Sequence, residues 1–236
     1  MMKRIAIIPA RGGSKRIPRK NIKEFLGKPI IAYSIEAALE SELFDEVMVS
    51  TDDDEIANVA RAYGASIPFI RSKSASDDFA TLADVAKEVL SQYNDNGEYF
   101  DWACCILPTA PFVSGDKLIR SFSILFDISA DSLICVKKNS YPIQRSLIES
   151  NGFIELMFPE NSKERSQDLE ETYQDAGQFY WVKTNIFLEK GNRLSCGNTG
   201  KFVLPEMEVQ DIDNYQDWEL AELKFKVLSR RVVSYD

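Results

Sequence analysis

The strongest constraint on the fold is a rhythm. For the first 137 residues, short apolar runs of strand length alternate with stretches of helical periodicity. Arg4–Ile8 reads as a short strand, followed by a loop over Ala10–Asn21. A helix then runs from Pro29 to about Glu40, with Ile31, Ile35, Ala38 and Leu39 on one face. Val47–Ser50 reads as a strand, Asp53–Tyr63 as a helix ended by Gly64, and Ile67–Ile70 as strand-like. Thr81–Tyr93 is helical, Trp102–Leu107 a continuous apolar strand, Asp116–Phe126 helical and Ser132–Val136 a strand. Apolar strands separated by helices of this length specify a mostly parallel sheet covered on both faces, a three-layer Rossmann-like α/β fold.

The rhythm breaks between residues 138 and 176, which are polar and irregular and carry Pro142 and Pro159. A structureless stretch of that length inside a compact domain is expected to be functional. It reads as an insertion within one domain spanning residues 1–236, folding over the site or onto a second subunit. Regular patterning resumes with a strand at Phe179–Val182, a helix at Thr184–Lys190, a strand at Lys201–Leu204 and a helix at Tyr215–Leu228.

Charge is distributed unevenly. The chain has 28 Lys+Arg against 37 Asp+Glu, a net charge of −9, and a pI near 4.8, which argues against a nucleic-acid binder. Residues 1–28 nevertheless hold nine basic groups and only one acidic one, leaving 19 basic and 36 acidic residues for the remainder. A basic segment in an acidic chain points to a local anionic ligand. It does not read as a secretory signal, because the run Ile5–Pro9 is too short and is followed by more charge. No membrane span is expected. The four cysteines (Cys104, Cys105, Cys135, Cys196) lack CxxC spacing, which favours a reducing, cytoplasmic setting.

The basic groups cluster in Ile7-Ile8-Pro9-Ala10-Arg11-Gly12-Gly13-Ser14-Lys15-Arg16-Ile17-Pro18-Arg19-Lys20-Asn21. This segment follows the first strand, at the strand end where α/β folds bind ligands. Gly12 and Gly13 permit close backbone approach, and Arg11, Lys15 and Lys20 supply cations for phosphate oxygens. Neither the Walker A nor the GxGxxG pattern is present, which disfavours an NAD-linked oxidoreductase.

A second candidate is Gln210-Asp211-Ile212-Asp213. If this stretch is extended, Asp211 and Asp213 share one side while Ile212 points inward, so two carboxylates converge on a hard cation such as Mg2+. The other reading is a helix start capped by Asp213. Ser50-Thr51-Asp52-Asp53-Asp54 is largely explained by helix capping, although Asp52 could face a ligand. There is no histidine, so His-dependent hydrolases and zincins are excluded, and acid–base work falls to carboxylates, Lys, Tyr or water.

These segments, with the Pro-Thr-Ala-Pro of residues 108–111, resemble the CMP-sialic acid synthetases, a group of cytidylyltransferases, in order and over essentially the whole chain. Arg165-Ser166-Gln167-Asp168-Leu169 and Tyr173-Gln174-Asp175-Ala176-Gly177 resemble most the pseudaminic acid cytidylyltransferases. Leu107 stands where the sialic acid enzymes carry a Gln that touches the sugar, and Asp175-Ala176-Gly177 replaces their Pro-Asn-Gly.

The resemblance implies a nucleotide-diphospho-sugar transferase type of fold. It also implies the reaction of CTP with a nonulosonic acid, giving a CMP-sugar and pyrophosphate. Ala10, Arg11, Gly12, Gly13, Ser14, Lys15, Lys20, Asn21, Arg71, Asp78 and Thr81 would bind the nucleotide. Leu107, Arg165, Gln174 and Tyr180 would contact the sugar acid, and Asp211 and Asp213 would hold Mg2+. Arg11, Lys20 and Asp211 are the catalytic candidates, and a homodimer built through the insertion is implied. The alternatives are the N-acetylneuraminic, legionaminic or Kdo reactions and, in another class, a non-catalytic nucleotide-binding regulator.

Overall fold

The computed structural model describes residues 2–190 and 193–233. Its strands are β1 (Arg4–Pro9), β2 (Glu24–Phe25), β3 (Lys28–Pro29), β4 (Glu46–Ser50), β5 (Trp102–Ile106), β6 (Ser132–Lys138), β7 (Leu147–Ser150), β8 (Phe153–Leu156), β9 (Tyr173–Lys183) and β10 (Thr199–Leu204). The helices are α1 (Ile30–Glu40), α2 (Asp54–Ala62), α3 (Leu82–Asp95), α4 (Gly115–Asp127), α5 (Thr184–Lys190) and α6 (Tyr215–Val233).

Six strands form the central sheet in the order β10-β6-β9-β5-β1-β4. β1 runs parallel to β4 and β5, and β10 parallel to β6, whereas β9 is antiparallel to both its neighbours. Alternation along the strands builds two cores. Ala6, Ile8, Val49, Cys104 and Trp181 face α1, α2 and α4, while Ile5, Ile7, Met48, Cys105 and Val182 face α3 and α5. The three-layer, mostly parallel fold read from the rhythm is the one observed. All four cysteines are free and buried inside it.

Three local readings need correction. Ile67–Ile70 is not a strand: its neighbourhood pairs only through the single bridge Met48–Ser66. Pro68 cannot donate to a ladder, and Phe69 packs edge-on against Tyr93 instead. Leu39 is 42% exposed, because the buried face of α1 is set by Ile31, Ser34, Ile35 and Ala38. The insertion is not wholly irregular either. β7 and β8 form a hairpin across Asn151 and Gly152, both at positive φ (52° and 83°), and residues 173–176 already belong to β9.

A third apolar cluster governs the site. Ile17, Phe25, Ile30, Phe112, Ile212, Trp218 and Ala221 are buried together. It joins the loop after β1, the β2–β3 ribbon, the segment before α6 and α6 itself, so distant parts of the chain share one anchor.

Candidate active site

The loop after β1 is held from beneath at several points. The Ala10 N–H donates to Ser50 O at 2.8 Å, and the buried Asn21 donates from Nδ2 to Arg11 O at 2.9 Å. The Gly12 N–H donates to Asp52 Oδ1 at 2.9 Å, so Asp52 serves the loop backbone. A Cβ on Gly12 would lie 2.7 Å from Asp53 Oδ2. That oxygen cannot withdraw freely, since Asp53 caps α2 at the Ile56 N–H and receives the Arg19 guanidinium at 2.5 and 2.9 Å. Arg19, in turn, sits in the left-handed region (φ 56°). The Arg19 hydrogen bonds and the Ile56 N–H outweigh desolvation and hold the Asp53 carboxyl at about 2. Gly13 has no heavy atom within 4 Å of an added Cβ, so packing places no demand on that position.

With its backbone fixed, the loop presents Arg11, Ser14, Lys15, Arg16 and Lys20 to a cleft of about 660 Å³. The segment before α6 forms the opposite wall, where Ile212 is buried while Asp211 and Asp213 line the cleft. Asp213 is not the cap of α6. Asn214 Oδ1 accepts from the N–H groups of Gln216 and Asp217, and Asp217 Oδ2 accepts from those of Asp213 and Asn214. Asp213 is left free to meet Arg16 at 2.6 Å.

Lys20 Nζ donates to Ile212 O at 2.6 Å. Burial lowers the Lys20 pKa below the usual ammonium range, against the pull of Asp213 and Asp211. Burial raises that of Asp211, reinforced by Asp213. Among the described residues the Asp211 carboxylate has no hydrogen-bond donor and no ion-pair partner. Nor do three or more His, Cys, Asp or Glu residues converge among them on a cation site. Two hard carboxylates, one of them without a direct partner, are the donor type that a divalent ion such as Mg2+ takes.

The remaining wall carries the other nucleotide candidates. Arg71 is buried and donates from Nε to Ser50 Oγ at 2.9 Å and from its terminal nitrogen to Ser50 O; burial lowers its pKa. Asp78 spans Lys15 (2.5 Å) and Arg11 (3.0 Å), which hold its carboxyl below the usual range. Thr81 caps α3 in a reciprocal box with Asp84. Leu107 lines the cleft, its N–H donating to Gln178 O at 2.8 Å.

Two smaller cavities adjoin the cleft. One, of about 310 Å³, contains Gln174 and shares Asp211 and Asp213; the other, of about 430 Å³, contains Tyr180 and shares Thr81 and Leu82. Arg165 lies outside both and outside the cleft, on the insertion, where its Nε donates to Asp168 at 2.6 Å. A single chain therefore does not bring Arg165 to the site. Ala10 is buried beneath the loop, and Gly12 and Gly13 lie in its backbone outside the cleft lining. Arg16 was not singled out by the sequence, and nothing in its immediate surroundings distinguishes it from Arg19; its partner is 197 positions away. A larger concavity of about 900 Å³ lies between α1, α4 and α6. It is lined by Tyr33, Phe112, Phe225 and Leu228, and its Lys28 and Lys117 are already paired with Glu36 and Glu208. The convergent charges lie in the smaller cleft.

Comparison with known proteins agrees with this geometry. Residues 5–192 match the family described as Cytidylyltransferase. The chain is 43% identical over 227 residues to the pseudaminic acid cytidylyltransferase of Campylobacter jejuni, covering 96% of this chain and 97% of that one. It is 33% identical over 228 residues to the CMP-N,N'-diacetyllegionaminic acid synthase of Legionella pneumophila, covering 94% and 95%. Among solved structures, a CMP:2-keto-3-deoxy-manno-octonic acid synthetase complexed with CTP superposes with a TM-score of 0.68 at 17% identity, covering 97% of this chain and 99% of the other.

Proposed function

The chain belongs to the cytidylyltransferase family, and from that premise we propose that it activates pseudaminic acid: CTP and the sugar acid give CMP-pseudaminic acid and pyrophosphate. The observation that carries this reading is the opposition of a basic loop and two aspartates across one cleft, with Ile17 and Ile212 anchoring both walls in the same apolar cluster. The high identity to a pseudaminic acid enzyme over nearly the full chain supports this sugar over its relatives.

The anomeric hydroxyl oxygen of the sugar acid attacks the α-phosphorus of CTP, and the bond from that phosphorus to the bridging oxygen breaks. Pyrophosphate leaves, and the hydroxyl proton passes to an aspartate carboxylate or to solvent. Catalysis of this kind is mainly alignment and charge neutralisation. Arg11 and Lys15 would take the triphosphate in exchange for Asp78, their present partner. Lys20, fixed between Ile212 O and the aspartates, would offset charge on the departing pyrophosphate. Ser14 would add a hydrogen bond, and Asn21 would hold the loop that presents it.

Asp211 and Asp213 would hold Mg2+, which would supply positive charge for the phosphates and acidify the attacking hydroxyl. Arg71, Asp78 and Thr81 would line the cytidine end, while Leu107, Gln174 and Tyr180 would line the sugar end.

A homodimer and a cytoplasmic location complete the reading. The β7–β8 hairpin exposes apolar side chains on both faces, Leu147 and Ile154 on one and Ile148 and Phe153 (74%) on the other, apolar area of the kind that a second copy covers. In a dimer, Arg165 would be available to the partner's site. The four buried free thiols suit a reducing compartment, and no helix of the described residues is long and apolar enough to cross a membrane. Pyrophosphate release with CTP and a panel of sugar acids tests the reaction and the sugar together.

A further inference from the structure

The pairing of β6 with β9 slips beside the cleft. Ile134 stands opposite Tyr180 and Val136 opposite Asp175, so the β9 side of the ladder carries three extra residues. On a regular strand, residues five apart are about 16 Å apart and on opposite faces. Here the Tyr180 hydroxyl donates to the Asp175 carboxylate, 3.1 Å from each oxygen. The chain turns at Gly177 (φ 59°), whose N–H donates to Asp175 Oδ1 at 2.8 Å.

The bulge is pinned on both sides. Cys135 fills the broken ladder, its Sγ accepting from the Phe179 N–H and donating to Phe179 O, both at 3.2 Å. Leu107 of the cleft wall donates to Gln178 O at 2.8 Å. Bulges of this kind re-aim side chains beside functional sites.

The side chain re-aimed is Asp175. It lines both adjoining cavities, the one that contains Asp211 and Asp213 and the one that contains Thr81 and Leu82. Its carboxylate is exposed, accepts from two neutral protein donors and pairs with no cation among the described residues. A carboxylate offers about four acceptor positions, so acceptor capacity remains toward the cavities. Its negative charge repels the triphosphate and the carboxylate of a sugar acid, which leaves a neutral N–H or O–H as its partner.

We propose that Asp175 is a specificity-determining residue, accepting a hydrogen bond from an amide N–H or hydroxyl of the sugar acid. Tyr180 is the positioning residue that holds it. This rests on the cytidylyl-transfer reading and adds to it the group that selects among sugar acids.

The test compares the unsubstituted protein, Asp175→Ala, Tyr180→Phe and the double variant. Pyrophosphate release is followed with CTP and pseudaminic, legionaminic or N-acetylneuraminic acid. Asp175→Ala should lower kcat/KM for the preferred sugar acid at least about tenfold, as expected for loss of a charged hydrogen bond. It should change the ratio of kcat/KM between sugar acids and leave the KM for CTP within about twofold. Tyr180→Phe should move the same parameters less, and the double variant should add little to Asp175→Ala, since both act through one contact. An unchanged ratio between sugars, or a parallel loss of CTP affinity, would overturn the proposal while leaving the reaction intact. No pyrophosphate from the unsubstituted protein with any sugar acid would overturn the reaction and this proposal with it.

Discussion

The Arg16 guanidinium lies 2.6 Å from the Asp213 carboxylate, joining the loop after the first strand to the segment before the last helix across 197 positions. The neighbouring contact from Lys20 to Ile212 O repeats the connection. Together they set the cations of the loop against the aspartates of the opposite wall, and each part of that arrangement is open to a separate experiment.

Asp211 has no hydrogen-bond donor or ion-pair partner for its carboxylate among the described residues, although Lys20 and Arg16 act on it at longer range. Its folded-state pKa is raised by burial and by Asp213, so its ionised form is penalised in the fold. Its contribution to stability falls as pH rises from about 3.8 through the raised value and stays unfavourable above it. Asp211→Asn should therefore melt higher than the parent at pH 7 without divalent ions, with the gap closing in acid. Mg2+ should raise the melting temperature of the parent and not of the variant. The variant should lose at least about 100-fold in kcat.

Lys20 works as a cation against its own burial. Because its pKa is lowered, kcat/KM for CTP should fall on the alkaline side as pH rises through a value below 10.5. Lys20→Arg should move that limb upward. Lys20→Ala should weaken the CTP complex and its turnover while retaining a cooperative melt, observed by calorimetry.

Gly12 and Gly13 separate packing from ligand binding. Gly12→Ala would drive a methyl group to 2.7 Å from Asp53 Oδ2, an oxygen held by Arg19. Both CTP affinity and melting temperature should drop. Gly13→Ala meets no protein atom within 4 Å, so its melting temperature should match the parent, and any loss of CTP affinity reports contact with the nucleotide.

Asp53 sets the acid limb of stability. Its pKa is depressed to about 2, so the stabilisation is present above about 3.8 and is lost as pH falls toward about 2. Asp53→Ala removes a helix cap and should cost about 1 kcal/mol at neutral pH in denaturant titrations. It should also flatten the dependence of stability on pH between those two values.

The β7–β8 hairpin is predicted to hold the dimer. Phe153→Asp together with Ile154→Glu should give a monomer by sedimentation, with the melt of the central domain retained, because neither side chain belongs to a buried cluster.

Much of this was legible in the chain, and what was missed has physical reasons. β1 and β5 are apolar on both faces and read directly as buried strands, and the loop after β1 follows from local composition. The reversed direction of β9 leaves no local mark, since an antiparallel central strand is as apolar as its parallel neighbours; it follows from the path of the insertion. The β7–β8 hairpin did carry a signal, Asn151-Gly152 between two apolar runs, which is the strongest short-range mark of a two-residue turn. The Arg16–Asp213 pair and the Asp175–Tyr180 contact could not be read in advance. The first depends on tertiary closure by Ile17 and Ile212, the second on a slip of strand register.

The most direct measurement is pyrophosphate release by the purified protein with CTP, Mg2+ and each of pseudaminic, legionaminic and N-acetylneuraminic acids in parallel. Release is expected with all components present, fastest with pseudaminic acid, and none when CTP or the sugar acid is omitted. Binding of CTP without pyrophosphate release for any sugar acid, or faster turnover of N-acetylneuraminic acid, would contradict the proposed function.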